Sequence, residues 1–384
     1  MKKLIISALC LFCFAPAFAQ KPELAWDAYY RYYFENRELD YNVPAPIRSG
    51  TINAMYLTPS ISVGVFQNPR VHHRLAAGTD IRRNMGAGEG RFAGELSVYY
   101  DVHLRLRNGA MFEGVIGIFP RRFSEGEYGR IFFSDSLRFT DSNSEGLLLK
   151  YRSEDFYAEL GADWMGMRGR EVKERFMLTS AGAWDAASWL RLGWSGSFYH
   201  YAGSEKAPGV VDHHLFEPYV TFDLADAVAF QELSLKLGAP ATYQRDRERE
   251  DSPSIKIGAE ALLTAKKWNV GISNSAFYGR GFQYLYNGRD LGGNKYGNML
   301  YFGSPFYSYD FYDMLEISYA PEIWRGVYLN IGARFHFCEK GFIGNSQTLG
   351  LVFDLGKIKH PHWGAGRTEA LPSRRRGGGP TYFM

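Results

Sequence analysis

The 384-residue chain carries 44 basic and 41 acidic side chains, a formal net charge of +3, and this near balance argues against a nucleic-acid-binding protein. Aromatic residues make up 16% of the chain and glycine contributes 42 residues. Beyond the N-terminus no stretch reaches the roughly 18 apolar residues that a membrane-spanning helix requires. Two classes therefore remain, a soluble secreted protein and a closed membrane β-barrel.

The N-terminus has the three parts of a secretory signal peptide. Two lysines precede the apolar run 4–14, and the segment 15–19 ends in an A-x-A cleavage site. We expect cleavage after Ala19, so that residues 1–19 are removed. Of the three cysteines, the mature chain would then keep Cys338 alone, which excludes an internal disulfide.

Most of the chain after the signal peptide alternates between apolar and polar residues, with the period of a β-strand. In 92–106, for example, apolar Leu96 and Val98 alternate with positions that include Glu95 and Asp101. One face of such a strand suits hydrocarbon and the other suits water, which predicts an all-β fold, an up-and-down antiparallel transmembrane barrel of about 16 strands (range about 14–18). The predicted strands are 25–36, 51–66, 71–83, 92–106, 109–119, 145–152, 155–164, 173–183, 187–201, 213–223, 230–240, 254–264, 267–277, 313–320, 326–337 and 346–355.

The connections between these strands are sorted by length. Outer-membrane barrels alternate short periplasmic turns with longer outer loops, whereas a soluble sandwich has no reason to do so. The predicted short connections are 67–70, 107–108, 153–154, 184–186, 224–228, 265–266 and 321–325. The predicted long ones are 37–50, 84–91, 120–144, 165–172, 202–212, 241–253, 278–312 and 338–345. This alternation favours the membrane barrel and places both of its ends in the periplasm.

The last predicted strand carries a recognisable pattern. Thr348, Gly350, Phe353 and Leu355 occupy the polar, glycine, aromatic and hydrophobic positions of a motif that resembles the β-signal read by the barrel-assembly machinery. With the signal peptide and the sorted loops, the chain resembles Gram-negative outer-membrane β-barrel proteins of the porin type. This resemblance implies an outer-membrane location and the barrel-assembly machinery as a partner during biogenesis.

Residues 356–384 depart from that resemblance, because such proteins usually end at the closing strand. This segment is rich in arginine and glycine and cannot form a core, so we predict a flexible periplasmic tail. Its basic cluster could contact peptidoglycan or a periplasmic partner, or could simply be solvated. The predicted organisation is a signal peptide at 1–19, a barrel at 20–355 and this tail.

The predicted lumen is lined by charges of both signs, and lone charges in a dry interior are too costly to persist. Members of this wall include Arg82, Glu95, Asp101, Arg105 and Arg334. The mixed signs suit either a hydrated pore, with no clear ion preference, or structural ladders inside a plugged barrel. The sequence leaves both accounts open.

Two long outer loops are rich in aromatic residues. In sixteen-stranded porins one long loop folds inward and narrows the pore, and loop 120–144 resembles such a constriction element. We predict that Arg121, Arg122 and Arg130 line the narrowest point.

The second long loop, 278–312, combines aromatic rings with arginines, a combination that suits stacking on sugar rings. The alternative is that its rings pack the loop over the barrel mouth. The predicted ligand-binding residues are Arg280, Tyr284, Tyr286, Tyr301, Phe306 and Tyr307.

Three functions follow as hypotheses. The first is a porin-like channel for small polar solutes, with saccharides as one candidate class. The second is a non-conducting surface, envelope-assembly or lectin-like barrel that acts through its long loops. The third is an outer-leaflet lipid hydrolase, for which His200 and His213 lie near Ser195 and other serines, although no hydrolase signature surrounds them.

No catalytic residue, cofactor or metal site is predicted. The predicted partners are outer-membrane lipids and lipopolysaccharide, a small polar solute or saccharide, and a second copy of the chain in a homo-oligomer. A nucleic-acid partner is not expected, because the charge is balanced.

Overall fold

A computed structural model describes residues 22–42, 46–86, 93–135, 137 and 141–355. They form a closed barrel of sixteen antiparallel strands, which confirms the predicted fold class. The predicted signal peptide and C-terminal tail lie outside the described residues. The strands are β1 (Glu23–Leu39), β2 (Gly50–Asn68), β3 (Val71–Asn84), β4 (Ala93–Arg105), β5 (Met111–Pro120), β6 (Asn143–Arg152), β7 (Phe156–Gly166), β8 (Arg175–Ala187), β9 (Leu190–Ala202), β10 (Val210–Asp223), β11 (Glu232–Gly238 and Ala241–Asp246), β12 (Ser254–Ile257 and Ala259–Lys267), β13 (Val270–Tyr278), β14 (Phe311–Tyr319), β15 (Val327–Cys338) and β16 (Gly341–Asp354).

Closure comes from the pairing of the first strand with the last. β1 pairs with β16 from Tyr29 opposite Asp354 to Leu39 opposite Gly344, and with β2 on its other side. The closing strand, predicted at 346–355, therefore lies where the β-signal pattern placed it. Because every strand has two neighbours, the sheet has no unpaired edge to expose to lipid. Within the described residues, no helix is long and apolar enough to span a membrane.

Strands β11 and β12 are each interrupted once. Both halves of β11 pair with β10, and Ala239 and Pro240 separate them. Proline lacks the N–H that a ladder needs, so the pairing breaks there and resumes at Ala241. Across the break the Gly258 N–H donates to the carbonyl of Pro240 at 2.8 Å. The prediction that 241–253 is entirely loop is wrong, because the strand continues to Asp246.

The two faces of the strands differ as the alternation predicted. On β4, Leu96 and Val98 are 61% and 42% exposed on the outside, whereas Tyr99 and Asp101 are 5% and 0% exposed on the inside. An apolar outer surface is the one that contacts lipid. The inner surface holds the polar and charged side chains, and it therefore decides what the barrel can do.

Loop length follows the predicted parity only in part, because the connections 224–231 and 320–326 are at least as long as 203–209 and 247–253 at the opposite end. The two longest connections, L3 (residues 121–142) and L7 (residues 279–310), lie at the same end of the barrel. At that end, the predicted long connection 338–345 is wrong. β15 and β16 extend until Cys338 pairs with Gly341, whose φ of 103° suits the tight turn, so that only two residues join them.

A few short elements lie between the strands. The three-residue strand Glu322–Trp324 pairs with the start of β15. Helices Arg121–Phe123, Ala225–Val228, Gly297–Leu300 and Pro305–Ser308 have three or four residues each, and all but Ala225–Val228 belong to L3 or L7.

Candidate functional site

L3 enters the lumen directly after β5, and Arg121 holds its root. The Arg121 guanidinium donates to Asp163 on β7 at 2.7 Å and lies 2.9 Å from the Asp141 carboxylate. It also donates to the backbone carbonyl of Asn143 at 2.9 Å. Burial alone would lower the pKa of the Arg121 guanidinium, but the two carboxylates reverse the direction and raise it. Both ends of the loop are thus tied to one buried cation.

The middle of L3 is tied to the wall beneath it. Glu125 accepts hydrogen bonds from Lys150, at 2.9 Å, and from Arg152, both on β6. Burial would raise the pKa of the Glu125 carboxyl, but these two cations outweigh it and lower the pKa below its usual value. Glu127 accepts from Arg191 on β9 at 2.9 Å. The loop therefore descends along the β6–β9 side of the lumen.

The far part of L3 reaches the opposite wall. Arg130 donates to Glu316 on β14 at 2.9 Å, and Arg334 on β15 donates to Asp135 at 2.6 Å. Arg334 also lies 3.2 Å from the Glu316 carboxylate, so two cations and two carboxylates form one cluster. We call this cluster the tip anchor. Because β6 and β15 are on different sides of the barrel, L3 crosses the lumen.

L7 also folds inward and bonds to the inner faces of β11 and β12. Tyr301 donates its hydroxyl proton to Gln244 at 2.6 Å, and Tyr307 donates to Glu260 at 2.5 Å. Burial raises the pKa of the Tyr301 hydroxyl far above its usual value, so this tyrosine remains a neutral donor. These bonds hold L7 inside the barrel mouth, against the β11–β12 side.

The two loops share one apolar interior, which we call the loop core. A buried cluster joins their side chains to inward-facing residues of the strands, and aromatic rings meet edge to face or stacked within it. From the loops, the loop core contains Tyr128, Ile131, Phe132, Phe133, Leu137, Phe282, Tyr286, Tyr296, Leu300, Tyr301, Phe306, Tyr307 and Tyr309.

L3 and L7 are also joined through their backbones. The Ser134 N–H donates to the carbonyl of Phe302 at 2.7 Å, and the Ser304 N–H donates to the carbonyl of Arg130 at 2.7 Å. Between these bonds lies Gly303, where an added Cβ would overlap the carbonyl group of Ile131. The close approach of the two loops therefore requires glycine at this position.

Substituting Gly303→Ala is expected to separate L7 from L3. The methyl group cannot be accommodated without moving backbone, so the two interloop hydrogen bonds lengthen or break and the loop core loosens. Hydrogen exchange followed by mass spectrometry should show faster exchange in both loops and unchanged exchange in the strands. Gly169→Ala, in the loop between β7 and β8, where an added Cβ meets only ordinary contact with Val172, is the matched control for alanine at a loop glycine. Equal exchange of L3 in both variants would contradict the assignment.

The predicted ligand residues of L7 fall into two groups. Tyr286, Tyr301, Phe306 and Tyr307 are at most 4% exposed, with their rings inside the loop core. Their burial favours the packing account of these four rings over sugar stacking. Tyr284 and Arg280 are exposed, and Tyr284 donates to Glu250 while Arg280 lies 3.6 Å from Asp310. The sugar-binding role of this loop stays a prediction.

The predicted wall residues are spread along the barrel axis. Asp101 is fully buried and pairs with Arg74 at 2.6 Å. His103 lies 3.2 Å from Asp101. Farther along the wall, Lys150 and Glu113 lie 3.0 Å apart and extend this chain of charges. This chain of charges runs along the β3–β6 wall and leads up to Glu125 of L3.

The other predicted residues lie near the two ends of this wall. Arg105 ends β4 at the side away from L3, whereas Glu95, near the other end of β4, pairs in register with Asp80. Arg82 lies beside Tyr56 on the neighbouring strand. Arg122 of L3 lies over the ring of Tyr29, 5.2 Å from its centre. The structure thus brings Arg121 and Glu95 to one side of L3, Arg130 and Arg334 to its tip, and leaves Asp101 and Arg105 below.

A cavity of about 720 Å³, which we call the vestibule, opens between L3, L7 and the upper ends of β4 and β6–β8. Sequence reasoning missed it, because its walls come from segments as distant as Glu95 and Phe302. The sequence did contain a partial indication of this cavity, because charged residues lie near the ends of the strands that surround it. Its charged lining residues are Glu95, Asp141, Glu145, Asp163, Arg175 and Lys295.

The histidines of the hydrolase hypothesis take two different positions. His200 and His214 face outward, where they stack on Phe176 and Phe198 with ring centres 4.9 and 3.9 Å apart. His213 faces inward against Tyr301. Such a row of rings is typical of a membrane interface. Ser195 donates its hydroxyl proton to the backbone of Glu127 at 2.9 Å, which accounts for that serine as an anchor of L3.

Comparisons with known proteins bear on the fold. No family model matches this chain, and no curated protein matches it. Among solved structures, OpdL of Pseudomonas aeruginosa is similar over 86% of this chain and 98% of its own, with 11% identity and a TM-score of 0.50. OccK5 (OpdH) of the same organism matches over 86% and 98%, with 10% identity and a TM-score of 0.48.

A multiply substituted porin of Rhodopseudomonas blastica matches over 86% of this chain and 100% of its own, with 11% identity and a TM-score of 0.44. At 11% identity the likeness to OpdL concerns the fold and not the solute. With the closed sixteen-stranded barrel and two loops folded into its mouth, this chain has the fold of outer-membrane porins.

Proposed function

We propose that this protein is an outer-membrane channel for small polar solutes, with L3 as its constriction. The observation that carries the proposal is the course of L3 across the lumen, from Arg121 beside β7 to Asp135 beside β15. A loop held at root, middle and tip by ion pairs, buried at the root and partly buried elsewhere, narrows the barrel without depending on its own secondary structure. Its charged surroundings suit water and polar solutes rather than apolar ones.

The three predicted constriction arginines then have different roles in this proposal. Arg121 and Arg130 hold the loop in place, because carboxylates of L3 or the wall neutralise both. Arg122 stacks on Tyr29, whose ring also lies 5.4 Å from Arg31. These two guanidiniums line a small cavity beside L3 and are the cations that we expect to meet the solute.

Saccharides are one class of such solutes. Of the predicted sugar-binding residues, Tyr284 and Arg280 are the exposed ones and lie at the barrel mouth. A sugar would therefore first meet the outer part of L7, not the rings of the loop core.

The second candidate is a non-conducting surface barrel. The observation that favours it is the loop core, which fills the side of the lumen from β8 round to β16 with packed side chains, many of them aromatic. If the rest of the lumen were closed as well, the loops would serve binding at the cell surface instead of transport.

Reconstitution of the full chain into planar bilayers distinguishes the two. The channel function predicts stepwise current increases and, in vesicles, uptake of small neutral polar solutes that falls with solute size. A protein purified identically but unfolded before reconstitution is the control. Absence of current steps from correctly folded protein would contradict the channel and favour the surface role.

A further inference from the structure

The vestibule has an acidic side. Glu95 on β4, Asp141 of L3, and Glu145 and Asp163 at the start of β6 and on β7 line it. Arg121 neutralises part of this charge through Asp141 and Asp163. Among the described residues, Glu95 and Glu145 form no salt bridge. This side therefore carries an excess of negative charge in a space large enough for a solute.

The vestibule also has a basic side. Arg175 at the start of β8 and Lys295 of L7 line it. Arg175 donates to the backbone carbonyl of Met165 at 3.2 Å, and the Lys295 ammonium lies 4.7 Å from the centre of the Tyr286 ring. Neither forms a salt bridge within the described part of the chain. Two cations thus lie near one cavity with the acidic residues and yet do not pair with them.

A buried amide donor lies in the same cavity. Asn143 is only 4% exposed, and its side-chain nitrogen lies beside the Glu95 carboxylate without a well-aligned hydrogen bond to any described residue. A buried amide donor without a well-aligned partner is unfavourable, and a bound carbonyl oxygen would supply that partner. Asn143 lines the vestibule together with the acidic and basic residues.

We propose that the vestibule binds a short peptide with free ends, of two or three residues. The peptide's ammonium group lies at Glu95 and Glu145, and its carboxylate lies at Arg175 and Lys295. A backbone carbonyl of the peptide accepts from Asn143. This assignment rests on the proposed function, of which it names the solute class.

The dimensions support a short peptide. β4 and β8 are four strand spacings apart, roughly 19 Å along the curved wall, and side chains that reach inward from both sides shorten this gap. An extended peptide spans roughly 3.4 Å per residue, so two or three residues cover the remainder. A neutral sugar of similar size would leave both charged sides without a counter-charge, which gives it no electrostatic advantage over water.

The test is calorimetric titration of the detergent-solubilised full chain with trialanine. The comparison ligands are N-acetyl-trialanine, which lacks the ammonium group, trialanine amide, which lacks the carboxylate, and neutral maltotriose. We expect trialanine to bind best, and loss of either end to weaken binding about tenfold, as for loss of a charge-assisted hydrogen bond.

Two variants make the assignment of each end specific. Glu95→Gln is expected to weaken binding of trialanine while leaving the already weak binding of the N-acetylated peptide unchanged. Arg175→Gln is expected to weaken binding of trialanine while leaving the already weak binding of trialanine amide unchanged. Lys295→Met in L7 is the alternative if Arg175→Gln does not fold. Lys206→Gln, at an exposed pair with Glu171 outside the vestibule, is the matched control and should bind like the unmodified chain.

Equal binding of trialanine and maltotriose, or variants that affect all peptides alike, would overturn the proposal. Conductance in bilayers without peptide binding would overturn this inference while the channel function stands. Peptide binding without conductance would overturn the channel function while this inference stands, and the vestibule would then be a surface binding site.

Discussion

Deletion of residues 123–138 is expected to raise the single-channel conductance well above that of the unmodified protein. The deletion removes the middle of L3 and the Arg130 and Asp135 side chains of the tip anchor, so nothing of L3 crosses the lumen. It also removes Tyr128, Phe132 and Phe133 from the loop core, and L7 loses the surface on which it packs. Both effects widen the passage.

The control for this experiment is a deletion within 168–171, in the loop between β7 and β8, which leaves L3 intact. Circular dichroism should show the same strand content in all three proteins. An unchanged conductance after removal of 123–138 would show that L3 is not the constriction.

Substitution of Arg334→Met is expected to release the tip of L3. The side chains of Arg334, Asp135 and Glu316 are only 13%, 14% and 16% exposed, and Arg130 alone would then face two carboxylates. Breaking a buried ion pair leaves an uncompensated charge and costs about 3 kcal/mol or more. We expect this loss in denaturant unfolding, with a conductance that fluctuates more because the tip moves.

Lys206→Met provides the comparison. Lys206 and Glu171 form an ion pair whose side chains are 54% and 72% exposed. Such surface pairs contribute about 0–1 kcal/mol, so this variant should unfold almost like the unmodified chain. Asp135→Asn should reproduce the conductance change of Arg334→Met from the loop side. If Arg334→Met and Lys206→Met had equal effects, the tip anchor would have no special role.

The strands could be predicted because their signal is local. Each lipid-facing position, such as Leu96, needs an apolar residue, whereas each inward-facing position, such as Asp101, tolerates a charge. Successive residues of a strand face opposite sides, so the sequence itself alternates between apolar and polar residues. Two of the errors were also local in origin. The strand predicted to end at 240 is only interrupted by Pro240, and the tight turn before Gly341 was missed because the polar residues after it pair within the sheet.

The candidate site was predictable only in part. The aromatic content of L3 and L7 indicated loops that pack against something, and the buried rings are consistent with this. What they pack against is a long-range property: Arg130 meets Glu316 across 186 positions, and Ser134 meets Phe302 through backbone atoms that no side-chain pattern reveals. The same holds for the vestibule, whose acidic and basic sides come from different loops and strands.

The sequence by itself determined an antiparallel barrel of about sixteen strands and its closing strand, because contact with lipid on one face and with water on the other selects every second residue. The tertiary structure alone decided which arginines hold L3. Arg121 and Arg130 are chemically like the other arginines of the loop, and the carboxylates of Asp163 and Glu316 make these two anchors. A charge acquires its role from the counter-charge that folding brings within a few ångströms of it.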